Sequence, residues 1–182
     1  LDGYDATFYL GSHYDLPVRT AFLLDARETR RTVVWFKYKL WQYDALPGPS
    51  LGTSRGLSVQ RVRGLNAPPS ASQPRPGFFS DVTYKGRVLR KFYGYDAATG
   101  AVSADPDLGV ITISDPARVQ TLVYIDNPTT GEQLPYVVRS GSFWYVADLP
   151  LSFIGPGDRY LVLCDLLHDM LSVKAETTRQ RA

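Results

Sequence analysis

Residues 135–171 read PYVVRSGSFWYVADLPLSFIGPGDRYLVLCDLLHDML, and their pattern decides the fold. Tyr136 to Arg139 and Phe143 to Ala147 are rich in aromatic and β-branched residues, with Ser140-Gly141-Ser142 between them. That arrangement predicts two antiparallel strands closed by a short glycine turn. Gly155-Pro156-Gly157 then interrupts the chain, and Asp158 is the expected N-cap of a helix. Tyr160, Leu163, Cys164, Leu167, Met170 and Leu171 recur at steps of three and four, with Leu161 and Leu166 widening the stripe. Asp158, Arg159, Asp165 and Asp169 fall mostly on other faces, so the stripe is expected to pack on a sheet.

Toward the N-terminus, Tyr4 to Leu10 reads as a strand closed by Gly11. Ser12-His13-Tyr14-Asp15 is the next loop, with Asp15 a candidate cap and Pro17 acceptable in a first helical turn. Val18, Ala21, Phe22 and Ala26 have helical spacing and predict a helix over 18–28; Arg27, Arg30 and Arg31 suit its C-terminal dipole. Thr32 to Phe36, TVVWF, reads as a strand buried on both faces. Strand, helix and strand over about thirty residues form a βαβ unit, which calls for a parallel pair with a right-handed crossover.

Between these ends the texture is β-rich. Pro47 to Arg55 is a loop with room for one helical turn, and Leu57 to Val62 is a short strand. NAPPSASQPRPG, residues 66–77, holds four prolines and reads as an exposed irregular connection. Phe79 to Tyr84 and Arg87 to Tyr93 flank Lys85-Gly86 as a second hairpin, and 95–107 is loop. Val110 to Ser114 and Val119 to Ile125 are strands separated by Asp115-Pro116, and DNPTTGE at 126–132 turns into the terminal hairpin. The expected architecture is one α/β domain over 1–176: a βαβ start, a β-rich insertion, and a C-terminal hairpin plus helix. Whether the insertion, about 78–134, forms its own lobe is left open by the pattern, and 177–182 is read as a polar tail.

With 182 residues, 44% of them hydrophobic and 13% aromatic, the chain can build a proper core. A formal net charge of +2 gives no support to a nucleic-acid or membrane-surface role. There is neither a signal peptide nor an apolar run of about 18 residues able to span a bilayer. The single cysteine, Cys164, excludes an internal disulfide. The chain starts at Leu1 and ends in a polar stretch, so both ends are read as cuts in a longer protein, and the missing signal peptide excludes nothing.

FWYVADLPLSFIGPGDRYLVLCDLLHDML, residues 143–171, resembles a segment just upstream of the barrel in polysaccharide deacetylase-like proteins of unassigned function. YDATFYLGSHYDLP at 4–17 and VVWFKYKLWQ at 33–42 resemble an earlier part of the same upstream region. Taken as two stretches, 4–42 and 143–171, the resemblance covers about seventy residues. That upstream region is similar in pattern to a flavodoxin-like, class I glutamine amidotransferase-like sheet. The resemblance implies that the deacetylase domain, with its metal-binding aspartate and histidines, follows residue 182. It also implies a cell-envelope or secreted location. An active amidotransferase carries its cysteine on a glycine-flanked strand-to-helix elbow; Cys164 lies on a helix stripe instead and is expected to be buried and structural.

Few residues suggest chemistry. Ser12, His13 and Asp15 follow a parallel strand, where open α/β sheets bind ligands, so they are the candidate catalytic loop, although loop structure and helix capping are the favoured reading of these residues. Cys164 and His168 share a helix face, but a metal site needs three or four ligands, and Asp165 and Asp169 are rotated about 100° away. No metal or cofactor is expected. Trp41, Tyr43, Trp144 and Tyr145 are candidate sugar-stacking rings, with Trp144 and Tyr145 on opposite strand faces. Asp148, before Leu149-Pro150, is a candidate ligand contact or a turn-capping carboxylate. The expected function is a non-catalytic accessory domain that scaffolds the deacetylase or weakly binds polysaccharide. The alternatives are a hydrolase-like enzyme around Ser12, His13 and Asp15, or a purely structural domain.

Overall fold

TVVWF is strand β2, Thr32–Phe36, and all five of its residues are buried, as a strand covered on both faces must be. Strand β1, Ala6–Leu10, pairs with it in parallel, with Phe8 opposite Val34. Helix α1, Thr20–Glu28, connects the two and completes the expected βαβ unit. The computed structural model describes residues 1–11, 16–72, 74–91, 95–96, 101–102, 107–153 and 159–179. Ser12 to Asp15, including the expected cap Asp15, lie outside the described residues, and α1 starts two residues later than the spacing predicts. Leu23 and Ala26 are its buried residues, and Phe22 packs at its side between Tyr9 and Trp35, with ring centroids 5.7 and 6.1 Å away. The open carbonyls at the end of α1 are met from elsewhere: Arg55 donates to Ala26 O and Arg27 O at 3.3 and 3.1 Å.

After β2 come two short helices, α2 (Trp41–Asp44) and α3 (Leu51–Arg55). Ser50 caps α3 by accepting from Thr53 N, and Gly56, at φ +75°, ends it in the left-handed region that glycine adopts without strain. Strand β3, Leu57–Val62, pairs antiparallel with β8, Leu108–Ile113, as a two-stranded ribbon. Between them lie the hairpin β4 (Asp81–Tyr84) and β5 (Arg87–Arg90), and a small pair, β6 (Tyr95–Asp96) with β7 (Ala101–Val102). Lys85 and Gly86, at φ +49° and +77°, make the two-residue turn of the hairpin. Strand β9, Val119–Asp126, leads into β10, Gln133–Ser140, and β11, Phe143–Val146.

The terminal hairpin forms as expected, with Ser140 opposite Phe143 around Gly141 at φ +59°. Its partner on the far side is β2: β11 runs parallel to it, Trp144 opposite Val34 and Tyr145 opposite Trp35. The result is a seven-stranded mixed sheet in the order β1-β2-β11-β10-β9-β4-β5. Three parallel strands stand at one side and an antiparallel meander at the other. Strands β4, β5 and β9 of the β-rich middle belong to this sheet, and one continuous hydrophobic cluster runs from Leu23 to Met170.

Helix α4, Arg159–Arg179, packs on β5, β2 and a 3-10 turn at Pro150–Phe153. The expected cap Asp158 lies outside the described residues, and the helix continues through the first residues of the expected tail. Its inward face differs from the sequence expectation. Val162, Leu166 and Met170 are buried, whereas Leu163 and Leu167 are half-buried and Tyr160, Cys164 and Leu171 are exposed. The physical reason is the hairpin beside it. Asp165 accepts from Arg87 Nε at 3.1 Å, and Asp169 accepts from Lys85 Nζ at 2.6 Å and from the Tyr84 hydroxyl. These bonds turn the carboxylates toward β4 and β5 and roll the Tyr160–Cys164 edge outward. Cys164 is therefore a surface thiol, not a core residue. Among the described residues no helix is long and apolar enough to cross a membrane.

Candidate functional site

Strands β1, β2 and β11 point the same way, so their C-terminal ends open on one edge of the sheet, where α/β proteins place ligands. After β1 comes Gly11, buried against Tyr38, whose Cβ a side chain at Gly11 would meet at 3.1 Å. After β2 comes Lys37-Tyr38-Lys39, and after β11 comes Ala147-Asp148. Lys37 and Lys39 have φ of +54° and +70°, an uncommon backbone for non-glycine residues that this segment adopts twice in three positions. Tyr38 N donates to Phe36 O at 2.8 Å and Trp35 Nε1 donates to Tyr38 O at 2.6 Å, which fixes the turn.

Both lysines of the turn line a cavity, and Lys37 also reaches inward to a buried carboxylate. Lys37 Nζ donates to Asp148 Oδ1 at 3.3 Å and to the backbone oxygen of Asp107. Asp148 has 0% exposure, and its Oδ2 takes the Lys91 ammonium and the Tyr136 hydroxyl, the latter at 3.3 Å. Its Oδ1 also accepts from Leu149 N at 2.9 Å. Burial pushes the Lys91 amine well below the ordinary lysine range, and the Lys37 and Arg159 charges push the same way. Burial raises the Tyr136 hydroxyl, which therefore stays protonated and donates.

The cavity lies between the Lys37–Trp41 segment and the β3–β8 ribbon. It has a volume of about 350 Å³ and is lined by both lysines, Tyr38, Trp41, Gln60, Arg61, Gly109 and Tyr145 among others. Arg61 is held from behind by Asp107, its Nε 2.6 Å from Oδ2, and Asp107 Oδ1 accepts from Gly64 N at 3.1 Å. The Lys37 and Arg61 charges stand over the Tyr38 ring at 5.2 and 5.9 Å. Tyr145, fully buried, donates to Lys37 O at 3.0 Å and closes the floor beside Gly109. Gly109 N in turn donates to Ala147 O at 3.0 Å, which fastens the ribbon to the end of β11.

The candidate residues separate sharply on this frame. Trp41 is 46% exposed and lies on the cavity wall. Trp144 is 1% exposed, in the core, and Tyr43 and Tyr145 are equally buried, so none of these three rings offers a face to solvent. Asp148 is an internal ion-pair member and not a surface ligand contact. Ser12, His13 and Asp15 lie outside the described residues. Cys164 and His168 are both on the outer side of α4; His168, 79% exposed, has Nδ1 3.7 Å from Asp169. Among the described residues no group of three His, Cys, Asp or Glu side chains is placed to hold a metal.

Lys37, Lys39, Arg61, Lys91 and Asp107 are the residues that sequence reasoning passed over. One signal was present: Lys37 and Lys39 come immediately after a near-continuous apolar strand that the βαβ reading already made parallel. Lysines at that position sit at a sheet edge where ligands bind, instead of on an arbitrary solvent face. Lys91 and Asp107 gave no such signal, because only the tertiary fold brings them to Asp148 and Arg61. In comparisons with known proteins, the chain matches no family model and no curated protein.

Proposed function

We propose that this chain is a non-catalytic accessory domain that holds a carbohydrate in the cavity beside Trp41. The observation that carries the reading is the half-exposed indole on the wall of a cavity whose other walls are rich in N–H and O–H donors. A pyranose presents an apolar C–H face and a rim of hydroxyls, which suits one aromatic ring next to several polar groups. The volume falls at the small end of ordinary ligand sites, room for one or two sugar rings of a longer polymer. The resemblance to the region upstream of polysaccharide deacetylases agrees with this ligand. In that reading the deacetylase domain of the same polypeptide is a second partner, and the protein works in the cell envelope or outside the cell. The fold that goes with it is flavodoxin-like or amidotransferase-like, supported by the parallel β1–β2–β11 block.

Tryptophan fluorescence tests the site directly. Trp35 and Trp144 are buried, so a change on adding glycan reports on Trp41. Titration with a panel of neutral, N-acetylated and acidic oligosaccharides is expected to quench the emission for at least one class. Trp41→Ala is expected to weaken that binding about tenfold in calorimetry, the loss of one stacked ring. No binding by any member of the panel would overturn the proposal. Turnover of acetylated glycans or simple acyl esters by the wild type, lost in Ser12→Ala/His13→Ala, would replace it with the hydrolase reading.

A further inference from the structure

The cavity wall has a one-sided charge. Of its lining residues three are cationic, Lys37, Lys39 and Arg61, and none of the described ones is acidic. Two of the cations have carboxylates behind the wall: Asp148 receives Lys37, and Asp107 receives Arg61. Lys39 is different. It is 7% exposed, so its stem is almost wholly enclosed, and among the described residues its ammonium has no hydrogen-bond or ion-pair partner. The Lys39 ammonium itself reaches solvent but has no counter-charge among the described residues to offset the cost of enclosing its stem, and an anion bound beside it supplies one. The backbone adds to the cost, since Lys39 is held at φ +70°, where asparagine or glycine would sit with less strain. Strain and an unmatched charge at one residue, on the ligand-binding edge of a parallel sheet, point the same way.

Resting on the reading of the cavity as a carbohydrate site, we infer that its ligand is an acidic saccharide whose anionic group is bound by Lys39. Arg61 and Lys37, fixed by their carboxylates and by the Tyr38 ring, add positive potential without having to move. The Trp41 ring stands on the same wall to take the sugar face, and exposed Gln60 offers an amide to a hydroxyl. Carboxylate and sulfate groups share the recognising chemistry, so both belong to the ligand class. Neutral glycans lack a partner for Lys39 and leave its charge unmatched.

The experiment compares three probes on the intact chain by Trp41 fluorescence and calorimetry: hexagalacturonate, its fully methyl-esterified form, and a sulfated cello-oligosaccharide. An acidic probe is expected to bind at least about tenfold more tightly than the ester, the value of one charge-assisted hydrogen bond. Its affinity is expected to fall as salt rises from about 0.05 M to about 0.5 M. Lys39→Gln is expected to erase the preference and Lys39→Arg to retain it. Should Lys39→Gln misfold, the salt and ester comparisons on the wild type still decide. Equal affinity for ester and acid, with no salt dependence, overturns this inference while leaving carbohydrate binding intact. Failure of all three probes and of the neutral panel overturns both. Inorganic phosphate binding as tightly as hexagalacturonate would make the cavity a simple anion site and overturn the saccharide assignment.

Discussion

Asp148, itself fully buried, receives Lys37, Lys91 and the Tyr136 hydroxyl, and neither lysine is more than 5% exposed. Removing one member of such a buried group leaves the opposite charge stranded, which costs more than the group gains by being there. Asp148→Ala is therefore expected to destabilise the protein by about 3–5 kcal/mol in urea titration. A cost below about 1 kcal/mol would mean that the lysines relax to solvent, and the description of the cluster would be wrong. Gly109 is the second sensitive position. A methyl group there would overlap the Tyr145 hydroxyl, and Tyr145 is fully enclosed and bonded to Lys37 O. Gly109→Ala is expected to cost about 1–3 kcal/mol, the usual price of forcing atoms into a packed site, and to weaken ligand binding at the cavity.

At the scale of elements, the orientation of α4 is the instructive case. Leu166→Ala, on the buried line of Val162, Leu166 and Met170, is expected to lose about 2–5 kcal/mol. Cys164→Ser, on the exposed side, is expected to stay within about 0.5 kcal/mol of wild type. Equal losses from the two would place the helix on its other face. The contacts that set the roll also give it an acid sensitivity. Burial alone would raise the Asp169 carboxyl, but hydrogen bonds from Lys85 and Tyr84 and the Lys85 charge outweigh it and hold it below its ordinary value. Asp81 behaves likewise: burial would raise it, yet Arg90, at 2.8 and 3.2 Å, and Ser80 hold it down. A carboxyl lowered by folding stabilises the native state above its unfolded pKa, and that contribution is lost as pH falls through the folded value. Stability is expected to drop between about pH 5 and pH 2, and to drop less in Asp81→Asn/Asp169→Asn. An unchanged acid limb in the double variant would show that these pairs are not linked to folding.

Over the whole molecule, the decisive pairing is β2 with β11, two strands more than a hundred residues apart in sequence. Every residue of both strands is buried, so neither can be satisfied without the other. The β3–β8 ribbon is fastened to the end of β11, and α4 lies on both β2 and β5. A fragment of residues 1–126, which contains the entire βαβ unit, is expected to lack a cooperative thermal transition. It would expose the apolar face of β2 and an open parallel edge. A fragment melting as sharply as the full chain would show that the N-terminal half folds alone.

The sequence by itself determined the local pieces. TVVWF announced a strand buried on both faces, Ser140-Gly141-Ser142 and Lys85-Gly86 announced hairpins, and the strand–helix–strand spacing fixed the parallel pairing of 4–10 with 32–36. These follow from periodicity and turn chemistry, which act over a few residues. Tertiary structure alone decided which face of α4 turns inward, because the partners of Asp165 and Asp169 come from a hairpin about eighty residues away. The same holds for the site. Trp41 was legible as an aromatic candidate, but nothing local separates it from Trp144; their opposite fates come from Trp144 lying on a central strand and Trp41 on a loop-side helix at the sheet edge. Asp148 reads as a turn carboxylate until Lys37 and Lys91 arrive from 111 and 57 positions away in the chain. Long-range charge pairing has no period and no fixed spacing, and so only the folded chain could reveal it.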